Sequence, residues 1–266
     1  MAGNQLNEVM VMNKLLLFFA LIAFLAACAQ ESQQSQGLQT QLIGEKITAS
    51  YKIGDKIFYL PEGEWIIVGS GNYETHLLTS FKSCSVFNWV YLADIRENTL
   101  YRAVYANANI KSCGARDWAD EPCKRTNYYY KNDMKRGTKD QFCLSISHNF
   151  PYLVRATGSY VEIYRWFNNH NISIPNTAMS VAFTRYYPHE YMSVVYFFNP
   201  EVIGISPSKG NTWETNDWNN NNISQYPEKK QFAEKLVEWG NLMSPLVLYG
   251  FNREGTEPQS VPKPPF

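Results

Sequence analysis

The sequence predicts an α+β domain: an antiparallel β-sheet with two main helices, stabilised by disulfides. Three observations carry that prediction. Aromatic and β-branched runs recur between turn signals. Two segments switch to helical periodicity. Four cysteines, Cys84, Cys113, Cys123 and Cys143, lie in the body of the chain. The order strands, helix, strands, helix suits helices laid against an antiparallel sheet rather than alternating βαβ units. The chain has 266 residues, of which 45% are hydrophobic and 15% aromatic, so a sizeable core can be built. The folded body is expected over 43–252 as a single domain.

The elements follow in chain order. "KIGDKIFYLPEGEWIIVGSGNY", 52–73, alternates strand-like runs with Pro61, Gly63 and Gly69, which marks strands joined by a tight turn. "SVFNWVYLAD" and "TLYRAVYANANI" flank the turn-like "RENT", Arg96 to Thr99, and form a hairpin. In "GSYVEIYRWFNNHN", Ser159 and Glu162 have capping-box spacing, and Tyr160, Tyr164 and Phe167 recur at helical intervals. "MSVAFTRYY" and "YMSVVYFFNPE" flank "PHE" as a second strand pair, and "NDWNNNNIS", Asn216 to Ser224, is a polar loop. "EKKQFAEKLVEWG" is the clearest helix, with Phe232, Leu236 and Trp239 on one face and Gly240 as its stop. The tail 253–266, containing "EPQSVPKPPF", is expected to be PPII-like and loose.

Ahead of the body, Lys14 precedes thirteen apolar residues, Leu15 to Ala27. As a helix they would span roughly 20 Å, short of the ~30 Å hydrocarbon core. A basic residue, a short apolar run and small residues before an abrupt polar break describe a secretory signal peptide over 1–27. A buried core helix fits less well, because no polar face interrupts the run. The segment ends in "LAAC", Leu25 to Cys28, which resembles the lipobox of bacterial lipoproteins at all four positions. The resemblance implies cleavage before Cys28, acylation of Cys28 and a stable membrane anchor from more than one acyl chain. Ala29 in place of Asp implies, by the same resemblance, sorting to the outer membrane. Met12 opens "MNKLLL", a more usual start for such a signal. Residues 28–42 then form the lipidated end and a Gln-rich tether, "AQESQQSQGLQTQL", with an r.m.s. reach of roughly 20 Å.

Export places the remaining cysteines in a disulfide-permissive compartment. Their spacings of 29, 10 and 20 lack the close pairs that zinc sites use. A hairpin centred between Asn98 and Thr99 sets Cys84 opposite Cys113 at its open end. That leaves Cys123 with Cys143, closing the irregular loop "KRTNYYYKNDMKRGTKDQF", which a disulfide would stabilise by about 3 kcal/mol.

Lys plus Arg and Asp plus Glu balance at 24 each, so no strong field attracts a polyanion and nucleic acid is not an expected partner. No G-x-S-x-G is present ("GISPSKG" is too long for the elbow), nor H-E-x-x-H, nor a P-loop. No cofactor or metal is expected. Glu74 and His76 alternate along a strand and could share a face, but without a third ligand they read as solvated polar residues. His189 beside Glu190 sits in a turn and reads as solvated; His170 carries no motif. His148 follows Cys143 closely and is the histidine to test first.

The stretch from Asp117 to Tyr130 gathers Trp118, Tyr128, Tyr129 and Tyr130, with Asp117 and Arg125 as polar companions. These rings either cover the domain's own core or form a stacking surface for a sugar or peptide. A ligand site, if present, is expected at Trp118, Tyr129 and His148. Aromatic faces and short polar groups there suit a neutral, hydroxyl-rich ligand.

The Gly-Glu-Trp strand in "LPEGEWIIVG", the Cys-bounded "QFCLSISH", the strand end "FNPE" and a late Trp-bearing helix leading to "GF" together resemble an uncharacterised family of bacterial envelope proteins. That resemblance carries no catalytic residues. The expected function is a lipid-anchored, non-catalytic binding or structural module of the envelope with a protein or glycan ligand. Two alternatives are a periplasmic hydrolase without a recognisable motif and an accessory subunit of a surface or secretion assembly. The last predicts an exposed apolar patch of several hundred Å².

Overall fold

Valine, tyrosine, leucine and alanine follow one another at 90–93 with no exposed surface at all. A strand buried on both faces reads as such a continuous apolar run, and this one sits inside a two-sided sheet. The computed structural model describes residues 43–77, 80–112, 122–124, 127–137, 139–150, 152–153, 158–257 and 259–266. The folded unit runs from Ile43 to Phe266. Ten strands form among the described residues: β1 (Lys46–Ile47), β2 (Ser50–Ile53), β3 (Lys56–Tyr59), β4 (Trp65–Leu77), β5 (Ser80–Arg96), β6 (Thr99–Lys111), β7 (Tyr130–Gly137), β8 (Asp140–Asn149), β9 (Ala178–Tyr187) and β10 (Glu190–Phe198). Eight of them make one antiparallel sheet in the order β1-β4-β5-β6-β10-β9-β8-β7, and β2 pairs with β3 in a separate hairpin. With two long helices, α1 (Ser159–Asn169) and α2 (Pro227–Asn252), the class is α+β, dominated by sheet.

Each face of the sheet has its own cover. On one face Ile163 and Phe167 of α1 join Trp89, Tyr91, Ala103 and Phe197 in a single apolar cluster. Tyr91 and Tyr152 hydrogen-bond through their hydroxyls within it. On the other face α2 lies along β8, β9 and β10. Its Trp239 meets Tyr196 and Phe198 edge-on, and a side chain at Gly240 would touch Leu144 and Val181 at 3.1 Å. The β2–β3 hairpin extends that cover, and the Tyr196 hydroxyl donates to the Tyr59 carbonyl at 2.8 Å.

Several expectations need correction. The long hairpin turns at Glu97–Asn98, both in the left-handed region, so Arg96 faces Thr99, one residue away from the expected centre. Two register shifts along β5 and β6 then bring Val86 opposite Lys111, the pairing that the expected centre required. Cys113 and the Cys84 side chain lie outside the described residues. Cys123 and Cys143 are bonded. The ring they close is not irregular: it holds β7 and the start of β8. β7 escaped notice because it is an outer strand carrying Lys131, Asp133, Lys135 and Arg136, the charges that protect a sheet edge.

At α1 the cap is Gly158, so Ser159 is the first helical residue and the capping-box offset is not used. Gly240 does not stop α2, whose 26 residues run on past it through Pro245 to Asn252; Arg253, in the left-handed conformation, ends it by donating its N–H to the Tyr249 carbonyl at 2.8 Å. The tail is docked rather than loose. Phe266 packs against Phe198 and Phe232, and the Trp239 indole donates to the Pro262 carbonyl at 3.2 Å. No helix among the described residues is long and apolar enough to cross a membrane.

Candidate functional site

The "NDWNNNNIS" stretch is folded by its own side chains, and this builds one wall of a cleft. Short amides bond local backbone and so offer the chain an alternative to regular structure. Asn216 accepts from the Trp218 N–H at 3.0 Å, and Asn219 accepts from the Asn221 N–H at 3.0 Å. Asn222 donates to the Glu214 and Asn216 carbonyls at 2.9 and 3.0 Å. Residues 216–219 are buried, which a polar loop would not predict. Beneath them Lys229 of α2, fully buried, forms an ion pair with the buried Asp217.

His148 reaches this wall from β8. It is 5% exposed, stacks on the Trp213 indole with centroids 4.8 Å apart, and its Nε2 lies 3.2 Å from the Trp213 carbonyl. A carbonyl only accepts, so Nε2 carries the hydrogen and Nδ1 is left as an acceptor. The same carbonyl accepts from Asn219 Nδ2 at 3.3 Å, so Trp213 is held from two sides. Burial lowers the His148 pKa below its ordinary value; the bond to Trp213 and the negative charge of Asp217 oppose that shift without reversing it. The imidazole is therefore neutral at pH 7.

Across the cleft, Tyr129 precedes β7 and donates its N–H to the Ile146 carbonyl at 2.8 Å. Tyr129, His148, Trp213 and Asn219–Asn221 line a hollow of about 190 Å³. The half-buried Tyr129 phenol is raised in pKa, by burial first and by Glu234 second. It stays protonated and can donate or accept a hydrogen bond.

Two of the three residues expected at a ligand site, Tyr129 and His148, thus line one hollow; Tyr128 lines it too. Trp118, Asp117 and Arg125 lie outside the described residues. Tyr130 lines an adjoining hollow instead. Sequence reading missed Trp213 and the asparagines opposite it. The usable signal was the Trp-rich, Asn-rich composition of 213–222, but nothing in one sequence places that stretch beside β8. The remaining histidines stand apart. His170 caps α1 and stacks on Trp166, and His189 is exposed at the β9–β10 turn. Glu74 lies on β4, two residues before His76. No group of three His, Cys, Asp or Glu side chains among the described residues is placed to hold a metal ion.

A pH effect follows from His148. Its unfolded pKa is about 6.5 and its folded pKa is lower, so on acidification the unfolded chain takes up the proton first. Stability is unaffected by this group above about pH 7 and is lost as pH falls through about 6.5 toward the folded value. His148→Gln keeps a donor for the Trp213 carbonyl and removes the titration. The melting temperature of the native protein should therefore fall more steeply than that of His148→Gln between about pH 7 and about pH 5. Parallel curves would mean that His148 titrates normally.

No family model, curated protein or solved structure matches this chain.

Proposed function

We propose that this chain is a non-catalytic lipoprotein of the bacterial cell envelope, held by acylated Cys28 at the outer membrane, whose body binds a hydroxyl-rich glycan. The observation that carries the binding reading is the hollow between β7–β8 and the 213–222 loop. It presents the Tyr129 and Trp213 rings beside the short amides of Asn219–Asn221. Ring faces offer C–H and apolar contact to a pyranose, and amides and a phenol satisfy its hydroxyls. The framework is already in place, with Trp213 fixed by His148 and Asn219, so little ordering accompanies binding.

His148 supports the binding reading over a hydrolase. Its Nε2–H is spent on a main-chain carbonyl, and the carboxylate that influences it, Asp217, is engaged by Lys229. No His–carboxylate pair of the kind that hydrolases use is formed by His148 among the described residues. An assembly subunit predicts a joined apolar patch. The large exposed apolar side chains among the described residues (Ile43, Tyr73, Ile110, Val161, Tyr187, Ile203 and Leu242) fall on separate elements.

The anchor is tested by intact mass and fractionation: the mature protein should begin at Cys28 with added acyl mass, and Cys28→Ser should leave the membrane. A Cys28→Ser protein processed at the same site and still membrane-bound sinks the anchor. For the body, a panel of neutral oligosaccharides is titrated while Trp fluorescence is followed. Trp213→Ala and Tyr129→Ala should each weaken binding about tenfold. If affinity falls only in step with melting temperature, the rings are packing and the hollow is scaffold.

A further inference from the structure

The hollow at Trp213 does not close at Asn220. A second one, of about 480 Å³, shares Tyr129 and Asn220 with it and runs onto the N-terminal half of α2, where Glu234, Val237 and Glu238 line it. Together the two hollows make one trough, each part large enough for a sugar ring.

Its charge is lopsided. Glu214 lines the first part, and Glu234 and Glu238 line the second; among the described residues no Lys or Arg lines either. The chain as a whole is balanced, so this is local concentration and not the overflow of an acidic protein. Glu234 pairs with Lys230, one turn before it, with Nζ 3.9 Å from its carboxylate and both side chains about half exposed. A pair that loose and wet is worth little. Glu238 forms no ion pair among the described residues. His148, 5% exposed, adds no positive charge, and its Nδ1 makes no hydrogen bond among the described residues. It is a bare acceptor on a side chain that lines the first hollow.

We infer that the ligand is an amine-bearing saccharide, with a hydroxylated ring against Trp213 and Tyr129 in the first hollow and a protonated amine between Glu234 and Glu238 in the second. The inference rests on the glycan reading above and narrows it, replacing an expected neutral ligand by a cationic one. Glu234 and Glu238 lie at i and i+4 on one helix face, so one ammonium can draw on both. The bridging phenol of Tyr129 already feels Glu234, which places that carboxylate close to the junction of the two hollows.

The test compares chitotetraose with free amines and its fully N-acetylated form, titrated calorimetrically into the full-length protein in mild detergent. At about pH 6 the amines are protonated. At about 20 mM salt the free-amine form should bind at least ~10-fold tighter, and at about 500 mM the gap should shrink to within ~3-fold. The exposed double variant Glu234→Gln/Glu238→Gln should abolish the gap, the free-amine and N-acetylated forms binding it within ~3-fold of each other at low salt. If the N-acetylated form binds, loses affinity in Trp213→Ala, and is matched or bettered by no free-amine gain at low salt, the glycan site stands and the amine assignment falls. A gap that persists in the double variant also overturns the assignment. If neither oligomer binds, the glycan reading fails and takes the inference with it.

Discussion

Lys229→Met lowers the stability of the body by about 3–5 kcal/mol, and Lys229→Met/Asp217→Leu regains most of that loss. Lys229 is wholly buried and Asp217 is 2% exposed. The ammonium is paired with Asp217, lies 3.4 Å from the Pro207 carbonyl, and sits over the Trp218 and Tyr226 rings at 5.3 and 5.4 Å. Asp217 has little else. Its Oδ2 also accepts a long bond from the Lys209 N–H at 3.4 Å, and its Oδ1 is buried without a partner. Removing the lysine strands a carboxylate in a site that water does not reach. Removing both charges in favour of apolar side chains of similar length removes that penalty, because desolvation and attraction in a buried pair nearly cancel.

The functional consequence is specific. The pair ties the loop that carries Trp213 and Asn219–Asn221 to the first turn of α2, so the single variant should lose oligosaccharide binding and the double variant should recover it. Hydrogen exchange at 210–222 should rise in the single variant alone. A single variant costing under ~1 kcal/mol, or a double variant less stable than the single, would show that the pair is not the fastening.

The strands were legible wherever one local pattern decided them. The runs at 85–94, 99–110 and 179–187 became strands, as did 191–198 of the fourth, because aromatic and β-branched residues there are buried on a sheet; its expected end, 199–201, instead caps and enters a 3-10 turn. The failures share a cause in tertiary contact. β7 carries alternating charges, and its strand character comes from pairing with β8. Gly240 reads locally as a stop, yet the helix passes through it, and the glycine lies where α2 packs closely on Leu144 and Val181. The tail reads as loose until Phe266 finds Phe198 and Phe232. The site was half legible for the same reason. Tyr129 and His148 are nearly adjacent through the Cys123–Cys143 ring and the β7–β8 pairing, so short-range reasoning reached them. Trp213 arrives from 65 residues beyond His148, and no local pattern encodes that distance.

Gly250→Ala should cost about 2 kcal/mol or more, against the direction that helix propensity predicts. In an exposed helix interior the same change gains up to ~1 kcal/mol, since glycine loses more backbone freedom on folding. Gly250 is buried, and an added Cβ would fall well inside contact distance of the Ile57 carbonyl oxygen on β3. That neighbour is backbone, held in the β2–β3 ladder by Ile57 opposite Lys52, and cannot rotate aside. Nor can the hairpin slide freely. Buried Lys56 is paired with Glu190 and lies over the Phe251 ring at 4.7 Å, and buried Arg185 lies over the same ring at 5.0 Å. Relief therefore requires α2 and the hairpin to separate, which exposes Phe58 and Phe251. Gly240→Ala is the internal control. Its Cβ would meet only side-chain methyls of Leu144 and Val181 at 3.1 Å, which can shift by tenths of an ångström, so propensity and crowding should nearly cancel. Denaturant unfolding of both variants reads the difference. Equal stabilities, or a Gly250→Ala protein at least as stable as the native one, would mean that the hairpin is not clamped to α2 at that point. In the expected outcome, hydrogen-exchange protection is lost across β2 and β3 and retained in β8 and β9, because the clash lies at the hairpin end of the helix.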